Sequence, residues 1–350
     1  MKEKQLPRVA LIFGGVGYEK EVSVLGADNL YRLIDSEKYD KIPIFIDKSG
    51  AFLMPEGEAL PSEIAVGAVR THEVFPTLSH GVGGLGGEGR FLPIDAAFPL
   101  LHGNFGEDGV VQGALTCAKI PFVGCDTVAS AASRDKMLLK CIADSLGIPT
   151  ARAILTVEGE IDSAIKECKR TLGYPVFVKP TRLGSSIGAG KAENAEQLKE
   201  RLALALSLDK RAIIEEYIEI EKELECAYFS ARGEEIFTSP GEILAGGFYD
   251  YEQKYAASST AVVKAAVCAD AALLERLREY SGRLVRALSI RDISRIDFLL
   301  SRDGRLYFNE INTMPGFTAA SLYLRLVECE RITPADAVSR LLDEAIRRGA

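Results

Sequence analysis

Apolar stretches and amphipathic stretches alternate along the first third of the chain. An apolar run at 8–13 predicts a buried strand, the glycine-rich segment 14–17 predicts a turn, and the spacing of apolar residues over 21–34 predicts a helix. The mainly apolar segments 41–46 and 96–101 predict two more strands. Because strands and helices alternate here, we expect a parallel sheet joined by crossover helices.

Further along the chain the predicted strands come closer together. A short strand at 120–123 should end the first domain near Gly124, and a helical segment is expected over 127–146. The next predicted elements are strands at 151–155, 175–179 and 212–217 and helices at 161–172 and 195–206. The later strands favour an antiparallel sheet with helices on one face.

The segment 81–86 matches the dinucleotide-binding pattern G-x-G-x-x-G. No run of β-branched residues precedes it, and Gly87, Gly89 and Pro93 interrupt any helix after it. We interpret the segment as a flexible surface loop.

Composition and charge exclude several classes of protein. The chain has 350 residues, a number that favours two or three domains. It carries 42 Lys and Arg against 50 Asp and Glu, so the clustered positive charge of nucleic-acid-binding proteins is not expected. No apolar run approaches the roughly 20 residues of a transmembrane helix, and the run at 9–13 is too short for a signal-peptide core. We expect a cytoplasmic protein that binds neither nucleic acid nor membrane.

The seven cysteines are scattered and never form a C-x-x-C pair, and there are only three histidines. This pattern argues against a zinc site and favours buried, reduced thiols.

The most informative pattern surrounds Asp303-Gly304, a strong hairpin signal between two partly alternating stretches. With a two-residue loop, Asp297 would lie directly opposite Glu310. Arg295 would lie opposite Asn312, with all four side chains on one face. Opposed carboxylates repel each other, but together with an amide they supply the oxygen ligands that Mg²⁺ prefers. The hairpin therefore predicts a metal site, and an acidic face in solvent is the alternative.

A Gly/Ser loop at 184–188 follows the strand that contains Lys179. Such loops offer backbone N–H groups and hydroxyls to phosphate oxygens. Lys179 shares a strand face with Phe177, so its ammonium group requires an anionic partner or ligand. Together with the hairpin, this pattern predicts a nucleoside triphosphate site.

Two further segments follow predicted strands. Glu19 lies just beyond the first glycine turn, at the edge of the sheet where open α/β proteins bind ligands. The glycine-rich segment 102–109 begins with His102 and leads into a helix, which is consistent with a functional loop or simply with a well-capped helix.

Taken together, these segments resemble the D-alanine–D-alanine ligase family of the ATP-grasp superfamily. The resemblance covers almost the whole chain, in order, and its longest motifs begin at His102 and Asn309. The matching segments are Gly14-Gly15, 19–23, 102–113, Asp135-Lys136, Lys179-Pro180, 184–186, 249–255, 294–297 and 309–321.

The resemblance implies an α/β N-terminal domain with a parallel sheet, followed by two α+β domains that clamp ATP. The implied bounds are 1–125, 126–210 and 211–350. It also implies two Mg²⁺ or Mn²⁺ ions on Asp297, Glu310 and Asn312, and usually a homodimer. The implied ATP-binding residues are Lys136, Lys179, Ser186, Glu215, Glu216, Tyr217, Ile218 and Glu223.

The implied reaction joins two D-alanine molecules through a D-alanyl phosphate, for peptidoglycan precursor synthesis. Glu19, oriented by Ser185, would receive the first ammonium group. Arg295 and the Gly316 N–H would stabilise the oxyanion. Ser321 and Lys254 would bind the second carboxylate, His102 would orient substrate, and Tyr249 and Tyr255 would belong to a mobile closing loop.

The sequence departs from the family pattern at three places that bear on loop closure and affinity. Gly17 and Ala319 stand where the family often has serine, and the Pro-Ala pair expected after the closing loop is missing.

The resemblance leaves the second substrate open. Lys254-Tyr255 and Leu322 favour D-alanine, whereas 315–318 also resembles ligases that accept D-serine; a D-lactate ligase is a further alternative.

Two other classes make different predictions. A nicotinamide-dependent oxidoreductase would need a glycine at the position of Lys20 and leaves the acidic hairpin without a role. A non-catalytic nucleotide-binding protein should have lost at least one acid or lysine of the site, and none is lost.

Overall fold

Three β-sheets organise the computed structural model, which describes residues 6–17, 19–79, 81–244, 262–265 and 270–349. Within these ranges, no helix is both long enough and apolar enough to cross a membrane. Each sheet packs against helices, and the clefts described below lie where the sheets meet.

The first sheet has seven strands in the order β6-β5-β4-β3-β2-β1-β7. Its strands are β1 (Arg8–Gly14), β2 (Asp40–Ile46), β3 (Phe52–Pro55), β4 (Thr71–Ser79), β5 (Val82–Gly87), β6 (Arg90–Pro93) and β7 (Ala96–Leu101). Its helices are α1 (Lys20–Leu33), α2 (Pro61–Ala65) and α3 (Val110–Cys117).

The predicted parallel arrangement is confirmed for the centre of this sheet, because β1 pairs in parallel with both β2 and β7. The strands from β3 to β6 extend it by antiparallel pairing. Three of these four strands, β3, β4 and β6, are only partly buried, and β5 is mostly glycine, so none has the long buried apolar run that marked the central strands.

The segment 81–86 is not a flexible loop, and that prediction was wrong. Most of it forms β5, whose glycines lie against neighbouring backbone. A Cβ atom on Gly83 would lie 2.5 Å from the Lys119 carbonyl oxygen, and one on Gly84 would lie 2.3 Å from that of Leu92. The glycines therefore permit close approach in a sheet. No helix follows them, as expected for a segment that is not a dinucleotide fingerprint.

The short strand predicted at 120–123 is also absent. Only one β-bridge forms there, between Ala97 and Phe122. The chain turns away at Gly124, whose φ of 102° is accessible mainly to glycine.

The second sheet is preceded by two helices, α4 (Thr127–Arg134) and α5 (Lys136–Ser145). Its strand order is β10-β9-β11-β8. The elements are β8 (Ala153–Val157), α6 (Ile161–Thr171), β9 (Val176–Pro180), β10 (Gly190–Ala192), α7 (Ala195–Leu208) and β11 (Arg211–Glu216). The strands and helices predicted for this part are confirmed to within two residues at each end.

The single helical segment predicted over 127–146 is broken at Asp135. This residue has extended backbone (φ −89°, ψ 106°), and its carboxylate accepts hydrogen bonds from the N–H groups of Met137 and Leu138. Asp135 thus caps α5 instead of continuing α4. Apolar periodicity continues through the break, which is why the pattern did not reveal it.

The third sheet is antiparallel, as predicted, in the order β15-β14-β12-β16-β17, with β13 also paired to β12. The strands are β12 (Ile220–Ala231), β13 (Glu234–Phe237), β14 (Gly241–Leu244), β15 (Val262–Lys264), β16 (Ile293–Ser301) and β17 (Leu306–Asn312). The helices are α8 (Ala271–Leu288), α9 (Leu322–Cys329) and α10 (Pro334–Gly349).

The hairpin between β16 and β17 has the predicted register at Asp297 and Glu310, but its loop is longer than predicted and a bulge compensates for the difference. The loop contains three residues, 302–304, because Ser301 pairs with Arg305 through its N–H. A bulge beyond Phe298 then restores Asp297 opposite Glu310 and Arg295 opposite Asn312. Without the bulge, the three-residue loop would place Asp297 opposite Asn309.

A buried ion pair ties the last helix to the junction between the first and third sheets. The Arg348 guanidinium donates to both Asp292 carboxylate oxygens at 2.7 and 2.6 Å and to the Phe122 carbonyl oxygen at 2.8 Å. Asp292 is 1% exposed and also accepts the Gly124 N–H at 2.7 Å. Its φ of 64° lies in the left-handed region, which asparagine tolerates.

We expect Asp292→Asn to lower the free energy of unfolding by about 3 kcal/mol, because it leaves the Arg348 guanidinium without its charged partner. Urea denaturation is the measurement. Glu279→Gln is the control, since it breaks an exposed helical pair with Arg283 and should cost less than about 1 kcal/mol. Equal effects of the two substitutions would contradict a stabilising role for the buried pair.

The six cysteines that the structure describes only partly match the expectation of buried thiols, and Cys268 lies outside the described residues. Cys125, Cys168 and Cys226 are buried and free, whereas Cys117, Cys141 and Cys329 are free and exposed. These three exposed cysteines lie on helices. The apolar periodicity of the sequence does not show on which face of a helix a cysteine will lie, so their exposure was not predicted.

Candidate functional site

Two clefts lie between the sheets. The first, of about 1120 Å³, is bordered by α1, the loop after β7 and the start of α9. The second, of about 970 Å³, lies between the second and third sheets. Residues shared by both linings are Lys136, Gly184, Ser185, Glu225, Ile243, Arg295 and Glu310. The clefts therefore meet at a junction rich in charged side chains.

The described residues among those implied by the resemblance all line one or both clefts. Those in the first cleft are Glu19, His102, Lys136, Ser185, Arg295, Glu310, Asn312, Gly316 and Ser321. Those in the second are Lys136, Lys179, Ser185, Ser186, Glu215, Glu216, Tyr217, Ile218, Glu223, Arg295, Asp297 and Glu310. Tyr249, Lys254 and Tyr255 lie outside the residues that the structure describes.

Glu19 presents a carboxylate to the first cleft from the N-terminal end of α1. The Ser185 hydroxyl donates a hydrogen bond to Glu19 Oε1. This contact joins the N-terminal end of α1 to the loop after β9.

His102 lies next to this carboxylate and is 7% exposed. Burial lowers the pKa of His102, although the nearby Glu19 charge opposes the effect. The ring is therefore neutral near pH 7. Its Nε2 atom is buried and has no hydrogen-bond partner among the described residues, so it is available to a ligand.

At the other side of the first cleft, Ser321 stands at the N-terminal end of α9. Its hydroxyl lies 2.8 Å from the Thr318 hydroxyl. A Cβ atom on residue 316 would come within 3.0 Å of Ser321 Oγ, so Gly316 keeps the space in front of this hydroxyl open. A hydroxyl at a helix N-terminus is a suitable place for a carboxylate.

Lys136 reaches the junction of the two clefts because it directly follows the Asp135 break. Its ammonium group donates to the Leu183 carbonyl oxygen at 2.7 Å and lies 3.5 Å from Glu310 Oε2. Burial lowers the pKa of Lys136, and Glu310 opposes that effect.

In the second cleft, Lys179 has the anionic partner that its position required. Its ammonium group lies 2.7 Å from Glu215 Oε2, and the other Glu215 oxygen lies 2.6 Å from Lys140 Nζ. Burial would raise the pKa of Glu215, but the two lysines lower it to about 2. Lys140 was not predicted from the sequence, because its position on α5 shows no pattern beyond that of a helix.

The Glu215 carboxylate should stabilise the fold above pH 4.5, its ordinary pKa, and this contribution should disappear as the pH falls through 2. A depression of this size corresponds to about 3 kcal/mol at neutral pH. We expect Glu215→Gln to lower the free energy of unfolding by at least that amount at pH 6 and by much less at pH 3, as measured by urea denaturation. Glu193→Gln, which removes an exposed carboxylate, should show no such pH dependence; a constant deficit for Glu215→Gln would contradict the ionic role.

Three acidic residues lie side by side across the third sheet. Glu225 on β12 is directly opposite Asp297, which is directly opposite Glu310. Arg295 compensates this charge: its guanidinium donates to both Asp297 oxygens at 2.8 and 2.7 Å and lies 3.1 Å from Glu225 Oε2.

Glu225 is the residue of this row that the sequence analysis missed. It is 7% exposed, and its alternation with Glu223 in the sequence was the available signal.

The oxygen donors fit a small divalent cation that also binds phosphate. Among the described residues, no three His, Cys, Asp or Glu side chains converge closely enough to hold a metal ion alone. Asp297, Glu310 and Asn312 offer two carboxylates and one amide. Mg²⁺ commonly binds to one or two carboxylates together with substrate phosphates and water. The donor set is therefore compatible with such an ion.

Comparison with family models covers most of the chain. Residues 8–125 match the model described as D-ala D-ala ligase N-terminus, and residues 142–343 match D-ala D-ala ligase C-terminus.

Full-length relatives give the same result. The D-alanine--D-alanine ligase A of Mesorhizobium japonicum is 37% identical and aligns over 99% of both chains. The D-alanine--D-alanine ligase of Acetivibrio thermocellus is 35% identical, over 97% of this chain and 96% of the relative.

Two solved structures share the fold over nearly their entire length. The VanG D-Ala:D-Ser ligase from Enterococcus faecalis has a TM-score of 0.86 and 32% identity, covering 99% of this chain and 100% of that one. The D-alanyl-alanine synthetase A from Vibrio cholerae has a TM-score of 0.85 and 26% identity, covering 98% and 99%. With three sheets, two joined clefts and matches along its whole length, this chain belongs to the D-alanine–D-alanine ligase family.

Proposed function

We propose that this protein joins two D-alanine molecules in an ATP-dependent reaction that forms D-alanyl-D-alanine, ADP and phosphate. The observation that carries the proposal is the junction of the two clefts at Lys136, Arg295 and Glu310. One cleft offers groups for amino acids, the other offers buried lysines for phosphates, and the reacting atoms would meet between them.

The three sheets support a division into an N-terminal domain at 1–125 and two ATP-grasp subdomains at 126–210 and 211–350. The second cleft, between the two subdomains, would hold ATP. Lys136 and Lys179 would bind its phosphates together with Ser186, while Glu215–Ile218 would face the adenine and Glu223 the ribose. Because Lys179 already contacts Glu215, its charge is fixed in place before nucleotide binds.

Asp297, Glu310 and Asn312 would hold Mg²⁺ at the phosphate end of this cleft. The bound cation would neutralise the negative charge that builds up on the phosphates when ADP leaves. Arg295 and Lys136 also supply positive charge that faces these carboxylates.

The first D-alanine would bind with its ammonium group at Glu19, which Ser185 orients. Its carboxylate oxygen attacks the γ-phosphorus, the bond to ADP breaks, and D-alanyl phosphate forms. His102 lies beside Glu19 as a neutral ring and would help to orient this substrate.

The second D-alanine would bind with its carboxylate at Ser321 and Lys254. Its ammonium group first loses a proton to solvent, and the free amine attacks the D-alanyl carbonyl carbon. The C–O bond to phosphate then breaks, and the second nitrogen proton leaves with the phosphate. Arg295 and the Gly316 N–H would stabilise the oxyanion by preorganised charge. Tyr249 and Tyr255 would belong to a loop that excludes water, and two copies of the chain would form a homodimer.

D-Serine as second substrate is the competing possibility, because the VanG D-Ala:D-Ser ligase is a structural relative. Leu322 favours D-alanine: it follows Ser321, lines the first cleft and is 8% exposed. An apolar side chain at this point gives a substrate hydroxyl no hydrogen-bond partner.

The test is ADP release with Mg²⁺ and ATP in the presence of D-alanine, D-alanine plus D-serine, D-alanine plus D-lactate, or L-alanine, with the products identified by mass. D-Alanine alone should support ADP release and dipeptide formation. Mixed product without D-alanyl-D-alanine would instead assign the D-serine or D-lactate activity, and silence with every mixture would refute a ligase.

A further inference from the structure

Arg134 is a charged residue in the first cleft to which the proposed function gives no role. It is the last residue of α4 and lies one residue before the Asp135 break. Its side chain is 11% exposed and lines the cleft together with Glu19 and Ser185. An arginine buried to this extent requires a compensating charge and hydrogen-bond acceptors.

Glu107, in the loop after β7, supplies that charge. Arg134 Nη1 lies 3.2 Å from Glu107 Oε2, and the same oxygen accepts the Gly103 N–H at 2.7 Å. Arg134 Nε is buried and has no hydrogen-bond partner among the described residues. The guanidinium is therefore held by one ionic contact and by the packing around it.

This packing involves two glycines on different loops. A Cβ atom on Gly184 would lie 3.2 Å from Arg134 Nη1, and one on Gly103 would lie 3.6 Å from Nη2. Both added atoms would also approach Glu19 Oε2, at 3.5 and 2.8 Å. The guanidinium thus fills the space between the loop that carries His102 and the loop that carries Ser185. Both loops lie next to the Glu19 carboxylate.

The electrostatics of the cleft favour a structural cation at this point. Burial raises the pKa of Glu107 to about 7, and Arg134 opposes this rise while Glu19 and Glu310 add to it. Burial also lowers the pKa of the nearby His102, so this ring adds no positive charge near pH 7. Arg134 therefore compensates Glu107, so that Glu19 is the carboxylate left to receive an ammonium group.

We propose that Arg134 is a positioning residue: by binding Glu107 between Gly103 and Gly184, it holds the 102–109 segment and the 183–186 loop in register and so fixes Glu19 and Ser185 for the first D-alanine. This role rests on the proposed function. It acts on amino-acid binding in the first cleft, because Arg134 does not line the second cleft.

The test compares Arg134→Met, Arg134→Lys, Glu107→Gln and the double variant Arg134→Met/Glu107→Gln by steady-state ADP release. We expect Arg134→Met to raise the KM for the first D-alanine at least 20-fold, while the KM for ATP changes less than threefold. Arg134→Lys should recover most of the loss. The double variant should bind D-alanine better than Arg134→Met, because it no longer buries a carboxyl group that has lost its guanidinium partner.

Arg340→Met is the matched control, since Arg340 also pairs with acids and has a buried Nε without a hydrogen-bond partner among the described residues, but it lines neither cleft. It should leave both KM values unchanged. An unchanged KM for D-alanine in Arg134→Met would overturn the positioning role. So would a parallel rise of both KM values without recovery in the lysine or double variant. Lack of dipeptide formation by the wild-type protein would instead refute the proposed function.

Discussion

Glu310→Gln should lower the rate of ADP release with saturating D-alanine by about a thousandfold, or about 4 kcal/mol of transition-state stabilisation. Glutamine keeps the size of the side chain and one oxygen, but it removes a charge from the pair formed with Asp297 across β16 and β17. The remaining donors would hold a divalent cation weakly. Initial rates over a range of Mg²⁺ concentrations measure the effect.

A second readout separates cation binding from turnover. Mn²⁺ should raise the melting temperature of the wild-type protein in the presence of ADP and should raise that of Glu310→Gln much less. Glu328→Gln, on the exposed face of α9, serves as the control and should behave like wild type in both assays. Full activity of Glu310→Gln at ordinary Mg²⁺ would remove Glu310 from the proposed metal site.

The second large effect is expected at Arg295. Arg295→Lys keeps the positive charge but loses the planar fork that contacts both Asp297 oxygens and Glu225. One ammonium group cannot satisfy both carboxylates and also stabilise an oxyanion. We expect kcat to fall about 100-fold, with the KM for ATP changed less than threefold.

Single-turnover formation of dipeptide measures this loss directly. Arg305→Lys is the control, because Arg305 lies in the same hairpin but is largely exposed. If Arg295→Lys kept the wild-type kcat, charge alone would suffice and the geometry of the fork would be irrelevant to the reaction.

The central elements and much of the site were predictable because local patterns and long-range packing agree there. The apolar runs of β1, β2 and β7 are buried in the structure, and the alternating hairpin correctly placed Asp297 opposite Glu310. The loop length was wrong, yet a bulge restored the register. Two opposed acids repel each other, so this register is stable only when positive charges lie nearby. Those charges come from Arg295 and Lys136.

The missed features depend on contacts distant in sequence. The Asp135 break is fixed by capping and by the ion pair with Arg211, neither of which changes the apolar periodicity. The glycines of β5 are required by backbone from Leu92 and Lys119, which no local pattern reveals. Arg134 is similar, since its partner Glu107 lies in another part of the chain.

The interruption between α4 and α5 has a consequence for equilibrium binding. Within three residues, the chain sends Arg134 into the first cleft and Lys136 to the junction with the second. A ligand in one cleft that shifts residues 134–136 also changes the surface that these residues present to the ligand in the other cleft. The binding of nucleotide and the binding of amino acid are then thermodynamically linked. If nucleotide raises the affinity for the amino acid by some factor, the amino acid raises the affinity for nucleotide by the same factor.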